Sequence, residues 1–177
     1  MREDCSQVRT VGPEVTVRPA RADEVAATAE IALTVYRAEG LLDDDSGYEA
    51  TVRDAATRYE QAELLVAVDD TDTVLGSVTV AASGTPLAQI ACDGELEFRM
   101  LSRSTTARGR GVGELLTRAV IERAHELGRT RVVLCVIDQN AHAIRLYRKL
   151  GFARLPERDW QPAPGVQLIA FGLDTGR

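Results

Sequence analysis

The chain has 177 residues, 45% of them hydrophobic and 27% charged, and a net charge of −6. That length suits one domain with its own core and hardly two. No apolar run approaches the ~18 residues of a membrane span, and without a basic tract sequence-independent nucleic-acid binding is disfavoured. The negative field mildly favours cationic partners such as protonated amines.

Residues 1–14 read as a loose polar leader ahead of a single domain spanning 15–177. Their polar, acidic start lacks the apolar stretch of a secretory signal, so a cytoplasmic location is expected. Val15-Thr16-Val17-Arg18 alternates as a strand does and stops at Pro19. Asp23 and Glu24 suit a helix start, and an Ala-rich helical pattern runs from Val25 to Tyr36 until Gly40 breaks it. Ser46-Gly47-Tyr48-Glu49 reads as a capping box opening a second helix to about Ala62. Glu63–Val68 and Val74–Val80, separated by a turn at Asp69–Asp72, form an expected antiparallel hairpin. Ser83–Pro86 is a loop, and the next strand runs from about Glu95 to Arg103.

After the turn Arg108–Gly113, an apolar stripe of Val112, Leu115, Leu116, Ala119, Val120 and Leu127 marks a helix ended by Gly128. Val132–Ile137 is an unbroken apolar run, the pattern of a strand covered on both faces. Asp138-Gln139-Asn140 leads into a shorter helix to about Leu150, stopped by Gly151. A Pro-rich loop, Pro156–Gly165, precedes a last strand at Val166–Leu173. The order predicts an α/β (α+β) fold: a mixed, mostly antiparallel sheet with helices on both faces.

The strongest chemical signal is Arg108-Gly109-Arg110-Gly111-Val112-Gly113, set between a strand and a helix. Glycines let the backbone turn its N–H groups inward and approach a ligand closely. The helix start adds the positive end of its dipole, making an anion site suited to a phosphate or pyrophosphate. Arg108 and Arg110 can add charge. A plain tight turn is the unadorned alternative. A dinucleotide-binding turn fits less well. Glu114 stands where its third glycine or alanine belongs, the motif comes after several strands, and too little chain follows. No Gly-Lys-Ser/Thr follows either, which excludes a P-loop.

Arg-x-x-Gly-x-Gly after a strand, followed by Asn140 and Tyr147 in Asn-Ala-His-Ala-Ile-Arg-Leu-Tyr-Arg-Lys-Leu-Gly-Phe, resembles the GNAT superfamily of N-acetyltransferases. The likeness is specific over about Gly94–Phe152. It implies the GNAT-type acyl-CoA N-acyltransferase fold, with acetyl-CoA as co-substrate. By that resemblance the turn Arg108–Gly113 holds the pyrophosphate of coenzyme A, and the backbone of Leu101, Ser102 and Arg103 pairs with the pantetheine arm. Asn140 bonds the pantetheine, and Tyr147 protonates the departing thiolate. Glu97, eleven residues before Arg108, matches the spacing of the family's general base. Two departures stand out: Arg103 replaces the usual apolar residue, and Thr105-Thr106 replaces Pro-Glu or Pro-Asp.

The expected reaction is direct transfer of acetyl to a primary amine, carried by a small molecule or a peptide, without metal, nucleic acid or membrane. The backbone N–H of Leu101 would serve the thioester oxyanion. A non-catalytic acyl-CoA-binding regulatory module is the other functional class, and a homodimer is compatible with either. Glu97 has an alternative as the ion-pair partner of Arg99, and Tyr147 has one as plain core. Cys135 reads as a structural cysteine inside an apolar strand. The three cysteines Cys5, Cys92 and Cys135 have no metal-ligand spacing, and an odd number cannot all pair. His125 and His142 read as surface residues. Asp43-Asp44-Asp45 reads as a solvated run ahead of a helix.

Overall fold

The computed structural model describes residues 14–42 and 47–176. The leader except Glu14, Cys5, the run Asp43–Asp45 and Ser46 of the expected capping box therefore lie outside the described residues.

The chain runs β1 (Thr16–Pro19), α1 (Val25–Ala38), α2 (Tyr48–Arg53), α3 (Ala55–Gln61), β2 (Glu63–Val68), β3 (Val74–Ala82), β4 (Glu95–Arg103), α4 (Val112–Glu126), β5 (Arg131–Ile137), α5 (Ala141–Lys149), β6 (Ala153–Arg154), β7 (Trp160–Ala163) and β8 (Val166–Asp174). The strands form one sheet in the order β1-β2-β3-β4-β5-β8-β6, with β7 also on β8. Every pairing is antiparallel except β4 with β5. The sheet is mixed and mostly antiparallel, as the sequence predicts.

Local chemistry explains the hairpin. In the turn between β2 and β3 the Asp69 carboxylate accepts from the N–H groups of Thr71 and Thr73, each at 3.0 Å, and from the Thr71 hydroxyl. An aspartate so bonded to its own turn offers the backbone a preformed reversal.

Side chains alternate across the strands, and each face takes its own helices. On one face Leu96 and Phe98 of β4 pack with Val112, Leu116, Val120 and Ala124 of α4, and with Tyr147, Phe152 and Phe171. The last three and Phe98 form an aromatic cluster, edge-to-face among Phe98, Tyr147 and Phe152 and tilted between Tyr147 and Phe171, with centroids 5.7 to 6.5 Å apart. Each such side chain contributes ~1.5–3 kcal/mol on leaving water. On the other face α1 and α2 supply a second cluster of Ala32, Leu33 and Val52, against which Tyr36, Leu42 and Met100 pack.

Three expectations are corrected. The second helix does not run unbroken to Ala62: Asp54 ends α2 and opens α3, its carboxylate accepting from Thr57 N–H. Helical spacing alone cannot show this break, because aspartate is an N-cap as well as a tolerated helix residue. Gly47 sits at the cap of α2 in the left-handed region with no side-chain cap, and Glu49 instead pairs with Arg37 and Arg53. The Pro-rich loop contains β7, which pairs with β8 at its edge, where a proline's missing N–H costs little.

The loop before β7 is tied down by charge. Glu95, 5% exposed, accepts from Arg158 at 2.6 and 3.1 Å and from Cys92 N–H, with Arg131 at 3.6 Å. Burial would raise the carboxyl of Glu95, but Arg158, the Cys92 N–H and Arg131 outweigh it and hold the pKa below the ordinary value. A depressed folded pKa stabilises above the unfolded value of ~4.3, and this contribution is lost as pH falls through the folded value. Arg158→Met is therefore expected to cost about 3 kcal/mol at neutral pH, since it leaves a buried carboxylate poorly paired. Melting curves at pH 7 and pH 3 check this. The deficit should be large at pH 7 and shrink at pH 3; an equal deficit at both would rule out an electrostatic cause.

Candidate active site

The sheet is open at its centre. β4 and β5 run parallel only at Glu95–Arg131, Leu96–Val132 and Glu97–Val133. Beyond those pairs the strands part, leaving one edge of 98–103 facing one edge of 134–137 with no ladder between them. Two β4 features drive the parting. Met100 has φ +51, rare for a residue other than glycine. The register with β3 slips there too, between Thr79–Arg99 and Ser77–Ser102. This is a bulge, which bends its strand and exposes backbone N–H groups. The cleft it opens has a backbone edge able to pair with an extended ligand.

Leu101, Ser102 and Arg103 form that edge. Ser102 is buried, and its hydroxyl donates to the Met100 carbonyl. β3 passes close behind it: a Cβ at Gly76 would lie 2.7 Å from the Ser102 carbonyl oxygen. Leu101 packs towards α4 and α5, near Gly113.

The glycine turn lies next along the chain. Gly109 (φ +79) and Gly111 (φ +68) take the left-handed backbone, and Gly111 caps α4 with no side-chain bond. The N–H groups of Gly109, Gly111, Val112 and Gly113 donate to no acceptor among the described residues. Added Cβ atoms at Gly109 or Gly111 would meet nothing within 4 Å, so these glycines leave the outer side of the turn open. Gly113 is different: its Cβ would come into ordinary contact with Leu146 and Leu101, so its face is turned to the protein and not to the open side of the turn. Arg108 is exposed beside the turn, and Arg110 is partly covered.

Glu97 lies on the other side of the bulge, 1% exposed. Its Oε2 accepts from the N–H groups of Gln89, Ile90 and Ala91 at 2.7, 2.8 and 3.0 Å. Its Oε1 is buried without a partner among the described residues. The expected alternative, a pair with Arg99, does not form: Arg99 donates instead to the Leu87 carbonyl at 3.0 Å. The loop that holds Glu97 carries no glycine, proline or charge at 89–91, so nothing in the sequence marks it.

Tyr147, on α5, places its ring in the aromatic cluster, 5% exposed, while its hydroxyl donates to no described residue. Burial first, then the nearby Glu39 charge, push its phenol far above the ordinary value, so it stays protonated. Asn140 caps α5: its Oδ1 accepts from Ala143 N–H at 3.1 Å, and its Nδ2 donates to Glu39 at 3.3 Å. Glu39, at the end of α1, was not flagged by the sequence. It joins the far side of the cleft to α5, with Arg103 and His142 in electrostatic reach.

Cys135 lies within the apolar strand β5, as read, but is only partly buried. It is half-exposed on the side of β5 away from the main core, and burial first pushes its thiol up to about 11. Such a thiol is no nucleophile at neutral pH. His125 and His142 are exposed, as expected. Among the described residues no helix is long and apolar enough to cross a membrane.

A mostly antiparallel sheet whose central parallel strands part beside a glycine-capped helix is consistent with the fold of the GNAT class of acetyltransferases. The chain belongs to the acetyltransferase (GNAT) family, which it matches over residues 28–152. Acetyl-CoA is the co-substrate of that family. It is 32% identical over 96 residues to a mycothiol acetyltransferase of Renibacterium salmoninarum, covering 54% of this chain and 28% of that one. The chain thus spans little more than a quarter of that relative's length. Its fold is similar to a GNAT-family acetyltransferase of Staphylococcus aureus Mu50 (TM-score 0.72, 13% identity, 92% of this chain and 100% of that one). It is similar also to yncA of Salmonella typhimurium, solved with its cofactor acetyl-CoA (TM-score 0.64, 22% identity, 93% and 95%).

Proposed function

We propose that this protein transfers the acetyl group of acetyl-CoA to a primary amine by direct attack. The observation that carries this reading is the parting of β4 and β5, with unpaired backbone on one side and the N–H groups of the glycine turn at its end. The pyrophosphate would lie on Gly109–Gly113 with Arg108 and Arg110 beside it, and the pantetheine along Leu101, Ser102 and Arg103. Asn140 would meet the pantetheine through Nδ2, giving up its bond to Glu39, because Oδ1 is held by the helix cap.

An amine attacks only when neutral, so its proton must be taken. Glu97 is the base, through its unpartnered Oε1 or a water there. The oxyanion of the tetrahedral intermediate takes the N–H of Leu101 beside the bulge. Tyr147 gives its proton to the departing thiolate. The neutral Cys135 thiol speaks for direct attack rather than an acyl-enzyme.

The decisive experiment is thiol release from acetyl-CoA across a panel of amines, coupled to calorimetric titration of acetyl-CoA into wild type and Gly111→Val. A Cβ at this position meets no protein atom within 4 Å, and the side chain would stand where the pyrophosphate is proposed to approach. A loss of at least ~2 kcal/mol, about 30-fold in Kd, is expected, the scale of several charge-assisted hydrogen bonds. The left-handed backbone at this position costs a further ~1–2 kcal/mol in stability, so the comparison is made on protein shown to be folded. Unchanged affinity would refute the phosphate site, and binding without turnover on any amine would favour the regulatory module.

A further inference from the structure

The face of β4 that carries Glu97 also carries Arg99. Beside it lies a cavity of about 110 Å³ lined by residues that include Arg58, Thr79, Arg99 and Met100. That is room for a small polar group, a water taking ~30 Å³.

The charges around it are unbalanced. Arg58, 5% exposed, donates through Nη1 to the carbonyls of Thr51 (2.9 Å) and Asp54 (3.2 Å). Arg99 donates to the Leu87 carbonyl. Neither guanidinium forms an ion pair with any described residue. The nearest candidates are otherwise engaged. Glu97 is held by the 89–91 loop, and the Asp54 carboxylate caps α3 through Thr57 N–H. Burial pulls the Arg58 guanidinium below its ordinary value against the opposing influence of Tyr36, Asp54 and Tyr48, and the charge of Arg99 adds a smaller push in the same direction as burial. Thr79 lies opposite Arg99 in the β3–β4 register, 2% exposed, and its hydroxyl is buried with no partner. Two cations and an orphaned hydroxyl around one cavity form an incomplete set, because buried charge and buried polar groups need partners.

We infer that Arg58, Arg99 and the Thr79 hydroxyl bind an anionic group of the acceptor, which makes the acceptor a small amino acid that carries a carboxylate near its reactive amine. Met100, the bulge residue, lines the same cavity, so the anion would sit beside the point where β4 leaves β5. Arg99 and Glu97 are two residues apart on one strand face, roughly 7 Å. An acceptor bridging them needs its amine and its anion only a few bonds apart. Polyamines and aminoglycosides would place further positive charge against two guanidiniums. The net charge of the chain, which mildly favours cationic acceptors, is overruled by local charge, because field strength is set by the nearest unscreened groups.

This inference rests on the proposed transfer to an amine, and its test has two arms. In the first, kcat/KM for acetyl transfer is measured for the common amino acids, their carboxamides, aminomethylphosphonate and spermidine, using wild type, Arg99→Met and Arg58→Met. At least one amino acid should exceed its own amide by ~10–100-fold, mostly through KM, and Arg99→Met should abolish that preference by lowering the acid's kcat/KM far more than the amide's. Preference for the phosphonate would assign the site to phosphoryl-type anions and overturn the carboxylate. Amides or spermidine equal to or better than every acid, or a preference that survives in both variants, would overturn the anion site. In the second arm the same amino acids and amides are titrated calorimetrically into the enzyme saturated with coenzyme A. This arm needs no turnover. Saturable binding of an acid that its amide lacks, lost in Arg99→Met, supports the site even if no amine is acetylated, in which case only the transfer reading fails. Absence of binding by every acid overturns the inference. Arg99, half-exposed on its strand, remains the usable variant if Arg58→Met does not fold.

Discussion

Tyr147→Phe is expected to lower kcat for acetyl transfer by ~10²–10⁴, the worth of a positioned general acid, while acetyl-CoA affinity changes little. In the proposed reaction the hydroxyl is called on only when charge gathers on the sulfur, so its contribution would belong to the transition state and not to the ground-state complex. The structure makes this an unusually clean substitution. The ring is held by Phe98, Phe152 and Phe171, which phenylalanine would satisfy equally, and the hydroxyl donates to no described residue. Removing it orphans no partner, so the melting temperature should hold within a degree or two. Burial keeps the phenol protonated through neutral pH, so the loss should be present across the neutral range. Steady-state rates and calorimetric acetyl-CoA binding check the split. Turnover within a factor of about two of wild type at every pH would leave the tyrosine as core and hand the proton to water.

Glu97→Gln is expected to lower kcat/KM for the acceptor by a similar ~10²–10⁴ at neutral pH, and to remove the rising acid limb of the pH profile. The amide keeps a carbonyl oxygen to accept from Gln89, Ile90 and Ala91, so the loop stays anchored. What changes is the second position: an NH₂ replaces the unpartnered Oε1 and cannot take a proton. The deficit should shrink at high pH, where more of the amine is already neutral in solution. Had Glu97 paired with Arg99, the same substitution would chiefly have cost stability. With Arg99 bonded elsewhere, no partly buried guanidinium is stranded by it. Melting temperature and pH profile measured together decide the matter. A destabilised enzyme whose pH profile keeps its shape would strike Glu97 from the catalytic set.

Much of this could be read from the chain because it is local. The glycine turn, the apolar stripe of α4 and the Asp69 turn are each written within a few residues, and backbone conformational preferences act at that range. The break at Asp54 and the strand β7 escaped because either outcome suits the local pattern, and packing decides. Site residues divide in the same way. Asn140 and Tyr147 sit on one short helix, so their relative placement follows from helical spacing. The partners of Glu97 come from a loop without distinguishing residues, and Arg58, Thr79 and Glu39 come from three separate elements.

The sequence by itself therefore determined the element order, the glycine-capped helix start and the alternation that puts Glu97 and Arg99 on one face of β4. Only the tertiary structure decided which groups meet across that face. An ion pair between two residues on one strand is sterically open to both, but each side chain goes to the partner that satisfies it at least desolvation cost. For Glu97 that partner is a trio of backbone N–H groups, and for Arg99 a carbonyl. Such choices depend on how the loop just before β4 folds back on it, and no pattern within β4 contains them. The same holds for the parting of β4 from β5. The bulge at Met100 shows only in the pairing of β4 with its neighbours, and it lies where the strands part to leave the cleft that the proposed chemistry uses.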